Sequence, residues 1–231
     1  MAIDHSLTYR QFSFRNLGHR QRLRAIGKLV DSVSLPEGTR YADVGCSNGY
    51  VTNFVRRRLA LSIADAFDYE QGHFEVGRAQ YPELRFAELN ITKSPLHDTY
   101  GFITCFETLE HVGDVRAAVE NLVASTARGG TILISVPVEH GFKGLLKYAV
   151  KRWVYRYSLA ELPGGESVAG AYLTALARGS RIDGFREAGR QGWGTHFGFD
   201  TRQVSDALSS LRVSFRSSSS SFTRFFLVRV S

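Results

Sequence analysis

Cys46 and Cys105 are the only cysteines in the chain. Two are too few for a disulfide framework, and no Cys/His spacing matches a zinc site, so a reducing cytoplasm is the expected compartment. No run of about 18 apolar residues occurs, and the opening stretch MAIDHSLTYRQFSFRN lacks an apolar segment behind a charged one. Membrane spanning and secretion are therefore both unsupported. Acidic residues are the minority charge, 22 Asp and Glu against 29 Lys and Arg. The resulting +7 favours an acidic partner without choosing between phosphate, anionic lipid and nucleic acid. What is present is 43% hydrophobic residues over 231 positions, enough to bury the core of a single globular domain.

The chain is organised around Tyr41 to Val55. Tyr41 to Val44 reads as a buried strand, Gly45-Cys46-Ser47-Asn48-Gly49 as a tight turn, and Tyr50 to Leu59 as a helix with Val51, Phe54 and Val55 on one face. Strand, glycine turn and helix together form a nucleotide cradle, because glycines admit close backbone approach and the helix start offers N–H groups to a ligand. A dinucleotide fingerprint would need glycine at 47 and 50, where Ser and Tyr stand. A nucleophile elbow G-x-S-x-G is matched by residues 45–49, with Ser47 as nucleophile of a serine hydrolase, but the residues before it read as helix rather than the strands such a sheet needs. The third reading is an adenosine site, with Asp68 on the next strand holding ribose hydroxyls at the spacing of a βαβ unit.

Asp43 to Gly49, then Asp68, Leu89-Asn90-Ile91, Phe106-Glu107-Thr108-Leu109-Glu110-His111-Val112 and Gly129 to Pro137 resemble the ordered motifs of class I S-adenosylmethionine-dependent methyltransferases. The Glu-x-Leu-Glu-His-Val run resembles the branch containing the ubiquinone-biosynthesis O-methyltransferases. The resemblance covers roughly residues 38 to 140. It implies S-adenosyl-L-methionine as cofactor, held by Asp43, Gly45, Cys46, Ser47, Gly49, Asp68, Tyr69, Asn90, Ile91 and Phe106. Asn90 would receive the adenine amino group and Tyr69 would flank the adenosine. Ser47 replaces the middle glycine of the family's loop, which is tolerable where that position avoids positive φ. The resemblance also implies an N-terminal helix closing over the cofactor, with Phe12, Phe14 and His19 against ligand.

Five strands alternating with helices predict an α/β, doubly wound parallel sheet: 41–44, 62–67, 84–87, 100–106 and 131–136. An amphipathic helix runs from about Gly18 to Val33 within an N-terminal helical cap, residues 1–37. Asp114 reads as the N-cap of a helix carrying Val115, Ala118, Val119, Leu122 and Val123, stopped by Gly129-Gly130. After a helix begun at Asp200-Thr201, Arg212 to Arg216 and Phe222 to Val230 read as two antiparallel strands joined by a serine loop, 217–221. That makes a seven-stranded, mostly parallel sheet with an antiparallel last strand, as the resemblance implies.

Between strand five and the tail, about Glu139 to Trp193, lies an inserted segment expected to handle the acceptor. Phe142, Leu145, Leu146, Ala149, Val150, Trp153, Val154 and Tyr157 recur at helical spacing, among basic residues without acidic neighbours in sequence. The helix 142–157 packs as an acceptor lid, lies peripherally on a membrane surface, or tracks nucleic acid; no RNA-module signature accompanies the last. Gly192 and Gly194 around Trp193 suggest a hinge or a close approach.

The reaction implied is methyl transfer to a small-molecule, glycan or lipid-linked acceptor, with oxygen favoured. A hydroxyl acceptor needs a base, and His196, His140, Glu107 and His111 fall on the ligand side of the sheet. No metal is expected, since a catechol-type site would want a carboxylate cluster after strand five and Glu139 alone does not supply one. A degenerate domain that binds cofactor or partner without turnover is the remaining alternative.

Overall fold

The computed structural model describes residues 17–154 and 156–231, so Phe12 and Phe14 lie outside the described residues. Seven strands form one sheet: β1 (Tyr41–Val44), β2 (Ala64–Asp68), β3 (Leu84–Glu88), β4 (Tyr100–Phe106), β5 (Thr126–Pro137), β6 (Ser214–Ser220) and β7 (Thr223–Arg229). The order is β3-β2-β1-β4-β5-β7-β6. The first five are parallel, and β7 runs antiparallel to both β5 and β6. The helices are α1 (Leu17–Asp31), α2 (Tyr50–Arg58), α3 (Phe74–Gln80), α4 (Val115–Ala124), α5 (Gly141–Val154), α6 (Ala169–Arg178) and α7 (Arg202–Ser210).

The central strands read as apolar runs because both their faces are covered. Side chains alternate between two cores. Ala42, Val44, Ile103, Cys105, Ile132 and Ile134 face α4 and α7. Tyr41, Phe102 and Leu133 face the opposite way, onto Ile26 and Val30 of α1, Val55 of α2 and Phe74 of α3. On α2 the deepest residues are Thr52 and Val55, with Val51 and Phe54 only half-buried, because Thr52 turns its hydroxyl inward to Asp43.

Two expected features are corrected. α4 starts as predicted, with Asp114 Oδ1 accepting from Ala117 N at 2.9 Å, but it ends at Ala124. Gly129 and Gly130 lie inside β5, where the register against β4 shifts between Tyr100 and Phe102 and Gly129 takes φ +74°. A glycine pair there absorbs an irregularity in the strand. The serine run is strand rather than loop: Ser217 to Ser220 pair with Phe226 to Thr223, and Ser221, at φ +53°, helps form the reversal.

The inserted segment keeps an apolar cluster of its own, built on Leu159, Leu162, Tyr172, Leu176, Ile182 and Phe197. Leu145 and Tyr148 of α5 pack against it. Four others of the predicted stripe are exposed: Phe142 at 77%, Leu146 at 45%, Val150 at 47% and Trp153 at 89%. Lys147 and Lys151, basic without acidic neighbours in sequence, both reach the buried carboxylate of Glu139, at 2.9 and 3.6 Å.

Candidate functional site

A cavity of about 570 Å³ opens at the C-terminal ends of β1, β2 and β4, within the size range of small-ligand sites. The turn after β1 forms its floor. Gly45 has φ +83°, and a Cβ there would stand 1.9 Å from Thr108 Oγ1, so only glycine fits. Gly45 N and Cys46 N both donate to Phe67 O, tying the turn to β2. Ser47 takes φ +50°, so the condition for an unstrained serine at this position is not met, at a cost of roughly 1 kcal/mol. Its amide donates to Asp68 Oδ2 at 2.7 Å, and Glu70 N donates to Asp68 Oδ1 at 2.9 Å. These amides aim the Asp68 carboxylate into the cavity while leaving lone pairs for further donors.

Asp43 is buried under the turn, where Thr104 and Thr52 hydroxyls donate to its two oxygens. Burial nevertheless raises its pKa to about 6. Asn90 lines the cavity, yet its Oδ1 accepts from both the amide and the hydroxyl of Thr92, at 3.1 and 2.7 Å. The structure thus gives that oxygen a turn-closing role, and an adenine amino group would have to compete for it. Tyr69, 57% exposed, Ile91, Cys46 and Phe106 line the cavity as expected, as does His19 from α1. Gly49 does not. It caps α2 at φ +78°, where a Cβ would meet Leu84 and Phe86 at 2.6 and 2.7 Å.

Beyond β4 the cavity is lined by ionisable side chains. Glu107, at φ +48°, is held by Arg22, 3.0 Å from its Oε2, and by Ser135 Oγ, which donates to Oε1 at 2.9 Å. Glu110 is fully buried, with no hydrogen-bond partner for either oxygen among the described residues. Burial and the neighbouring Glu107 carboxylate push its pKa well above the usual range. His111 Nδ1 donates to Trp193 O at 2.7 Å, and its ring meets His196 edge-on, centroids 4.6 Å apart. His196, at φ +62°, turns Nδ1 toward Glu139 Oε1 at 3.6 Å. Burial lowers the His196 pKa to about 4, and lowers that of His111 as well. Burial alone would raise Glu139, but His196, Lys147 and Lys151 hold it at about 2.

His140 is not at this site. Adjacent to Glu139 in sequence, it hydrogen-bonds Thr201 Oγ1 at 2.8 Å, outside the cavity lining. Sequence reasoning missed Arg22 as the partner of Glu107, and Glu110 and Glu139 as the buried carboxylates flanking the two histidines. The signal for Glu110 was present: a carboxylate between Leu109 and Val112 directly after a buried strand. The serine-hydrolase alternative finds no support, because the Ser47 hydroxyl has no hydrogen-bond partner among the described residues and so no base to activate it.

The inserted segment is laced to this end. Gly192, at φ +72°, donates its N–H to His111 O at 2.8 Å, and Gly189 N reaches Gly113 O at 3.3 Å. Gly192 is needed for its left-handed backbone rather than for a close approach, since a Cβ there would meet nothing within 4 Å and one at Gly194 only Glu161 at 3.7 Å. Trp193 is fully buried, with the guanidinium groups of Arg186 and Arg190 4.4 and 4.2 Å from its ring centre.

A mostly parallel seven-stranded sheet with an antiparallel β7, and a crevice between a glycine turn and an acidic strand end, define the fold of the class I methyltransferases. The chain belongs to the methyltransferase-domain family, whose model matches residues 18–168. Its curated relatives include a ubiquinone biosynthesis O-methyltransferase of Methylococcus capsulatus, 28% identical over 167 residues, covering 68% of this chain and 67% of the relative. A malonyl-[acyl-carrier protein] O-methyltransferase of Acetivibrio thermocellus is 29% identical over 111 residues, 46% of this chain and 39% of the relative. The chain spans about two fifths of the length of the latter. Among solved structures, the magnesium protoporphyrin IX methyltransferase of Synechocystis PCC 6803 with bound SAH shares the fold at TM-score 0.61 and 15% identity, covering 96% of this chain and 89% of that one. An amino pentose methyltransferase of Micromonospora echinaspora with bound SAM aligns at TM-score 0.60 and 15% identity, covering 96% and 98%.

Proposed function

We propose that the domain binds S-adenosyl-L-methionine in this crevice and transfers the sulfonium methyl to an oxygen of a small-molecule, glycan or lipid-linked acceptor. The observation that carries the reading is the Asp68 carboxylate, aimed by two backbone amides at the glycine turn beside a cavity of about 570 Å³. A carboxylate so placed takes both hydroxyls of a ribose, and the turn admits the amino-acid end of the cofactor against its backbone. The methyl would then face the Glu110–His111–His196 end. In the transfer the S–CH3 bond breaks with its electron pair retained on sulfur, a new O–CH3 bond forms, and the acceptor hydroxyl gives up its proton. The cofactor supplies the leaving group, so the protein chiefly aligns the acceptor and excludes water. At neutral pH burial keeps the His196 imidazole unprotonated, as a proton acceptor must be.

The test is calorimetry with the cofactor and its demethylated product. Asp68→Asn weakens binding by tens of fold, since charge-assisted hydrogen bonds contribute about 1.5–3 kcal/mol. Unchanged affinity would remove Asp68 from the site. Incubation with labelled cofactor and fractionated cell extract identifies the acceptor, and binding without transfer to any fraction would favour a domain that binds without turnover.

The exposed apolar row of α5 supports the lipid-linked branch of this reading, with the helix against a membrane surface. Among the described residues no helix is long and apolar enough to cross a membrane.

A further inference from the structure

The corner of the cavity beside Asn90 is closed by a chain of three side chains. Asn90 Oδ1 accepts from Thr92 N at 3.1 Å and from Thr92 Oγ1 at 2.7 Å, and Thr92 Oγ1 in turn accepts from Gln191 Nε2 at 3.1 Å. Asn90 and Gln191 both line the cavity. We propose that Gln191, from the inserted segment, receives the adenine amino group of the cofactor and makes the crevice selective for a 6-aminopurine. This deepens the S-adenosyl-L-methionine reading and rests on it.

The polarity of the chain is fixed from the backbone outward. An amide N–H can only donate, so Thr92 N determines which end of the Asn90 side chain is its oxygen. That oxygen also takes the single hydrogen of the Thr92 hydroxyl, and its two lone pairs are then both occupied. A hydroxyl whose hydrogen is committed can only accept from a further group, so Gln191 must turn its NH2 to Thr92. Each side-chain amide is left with its opposite atom. Asn90 keeps Nδ2, a donor, and Gln191 keeps Oε1, an acceptor, and neither is hydrogen-bonded among the described residues.

A donor beside an acceptor is the complement of the adenine edge, which presents N1 as acceptor next to the 6-amino donor. Hypoxanthine reverses both, with a hydrogen on N1 and a carbonyl at position 6. It would set donor against donor and acceptor against acceptor, leaving the polar groups of both partners unpaired. Asn90 alone cannot read the amino group, because its oxygen already closes the turn after β3. Gln191 supplies the missing acceptor from 99 residues beyond Thr92, and the next residue, Gly192, seats the segment by donating to His111 O at 2.8 Å. No motif near β3 announces such a partner.

Calorimetry on the full chain compares S-adenosylhomocysteine with S-inosylhomocysteine, its deaminated form. The wild type should prefer the adenine ligand by about thirtyfold, the discrimination of one well-placed pair of hydrogen bonds. Gln191→Ala should lower that ratio by about fivefold or more, chiefly by weakening the adenine ligand. Gln191→Glu, which keeps an acceptor oxygen, should retain the preference. A ratio unchanged in Gln191→Ala, or near one in the wild type, overturns the role of Gln191 and leaves the methyltransferase reading standing. A loss in Gln191→Glu equal to that in Gln191→Ala would mark a merely structural residue and also overturn it. No saturable binding of either ligand by the wild type would remove the cofactor reading, and this one with it. Should the melting transition of Gln191→Ala collapse, Thr92→Val, which deletes the hydroxyl that orients the amide, decides by the same ratio.

Discussion

Asp43 closes β1 beneath the ligand turn, and its acidity follows from where it sits. Unfolded, the carboxyl loses its proton near 3.8; folded, burial holds the proton up to about 6 despite two donated hydroxyl bonds. The unfolded chain therefore ionises first. The contribution of this group to stability is greatest below about pH 4 and declines as pH rises to about 6, by an amount on the order of 2–3 kcal/mol. Asp43→Asn removes that decline, so denaturant unfolding measured between pH 4 and 6 should show a flatter profile than the wild type. An identical slope in the variant would mean that the carboxyl is not the titrating group. At this same scale the sequence was partly readable. Asp68, Gly45, Ser47 and Glu107 announced themselves through spacing around strand ends. The direction of a side chain did not: His140 and Glu139 are neighbours in the chain, yet one faces Thr201 and the other His196.

α5 (Gly141–Val154) was legible as a helix, while its sequence left open whether the apolar row packs inward or faces a membrane. Its apolar residues divide between two faces, Leu145 and Tyr148 on the inner cluster, Phe142, Leu146, Val150 and Trp153 toward solvent, and helical period alone cannot tell which face has a partner. Lys147 and Lys151, which have no acidic neighbour in sequence, are drawn inward by Glu139. Arg152 is exposed on this helix, and Arg156 just beyond its end. Flotation with anionic liposomes should therefore depend on the aromatic residues. Phe142→Ser/Trp153→Ser lowers the bound fraction several-fold without shifting the melting temperature, because neither side chain supports the core. Equal flotation of variant and wild type would discard the membrane contact. The tail shows a similar limit. Serine composition reads as loop, but hydrogen bonding to the apolar β7 imposes a strand on Ser214–Ser220.

Across the whole molecule, the proposed cofactor half and the proposed acceptor half of the crevice come from different parts of the chain. β1, β2 and the turn between β1 and α2 build the first, and were legible because glycine, acid and strand period recur at fixed spacing. The second depends on residues 107–111 meeting residues 189–196, a long-range contact that no local pattern encodes. Gly113 marks the seam. A Cβ there would stand 2.4 Å from the Gly189 carbonyl carbon and 2.6 Å from Arg190 O. Gly113→Ala should push the inserted segment off the β4 loop, at a cost of about 1–3 kcal/mol. Methyl transfer to acceptor should drop far more than cofactor affinity, measured by calorimetry; a parallel loss of both would mean that the two halves do not separate.

That the inserted segment carries its own apolar cluster has a consequence for how such a protein can diversify. Leu159, Leu162, Tyr172, Leu176, Ile182 and Phe197 satisfy one another rather than the sheet. The interior of the stretch can therefore drift in sequence without disturbing the sheet, provided residues 189–192 still seat on the loop after β4.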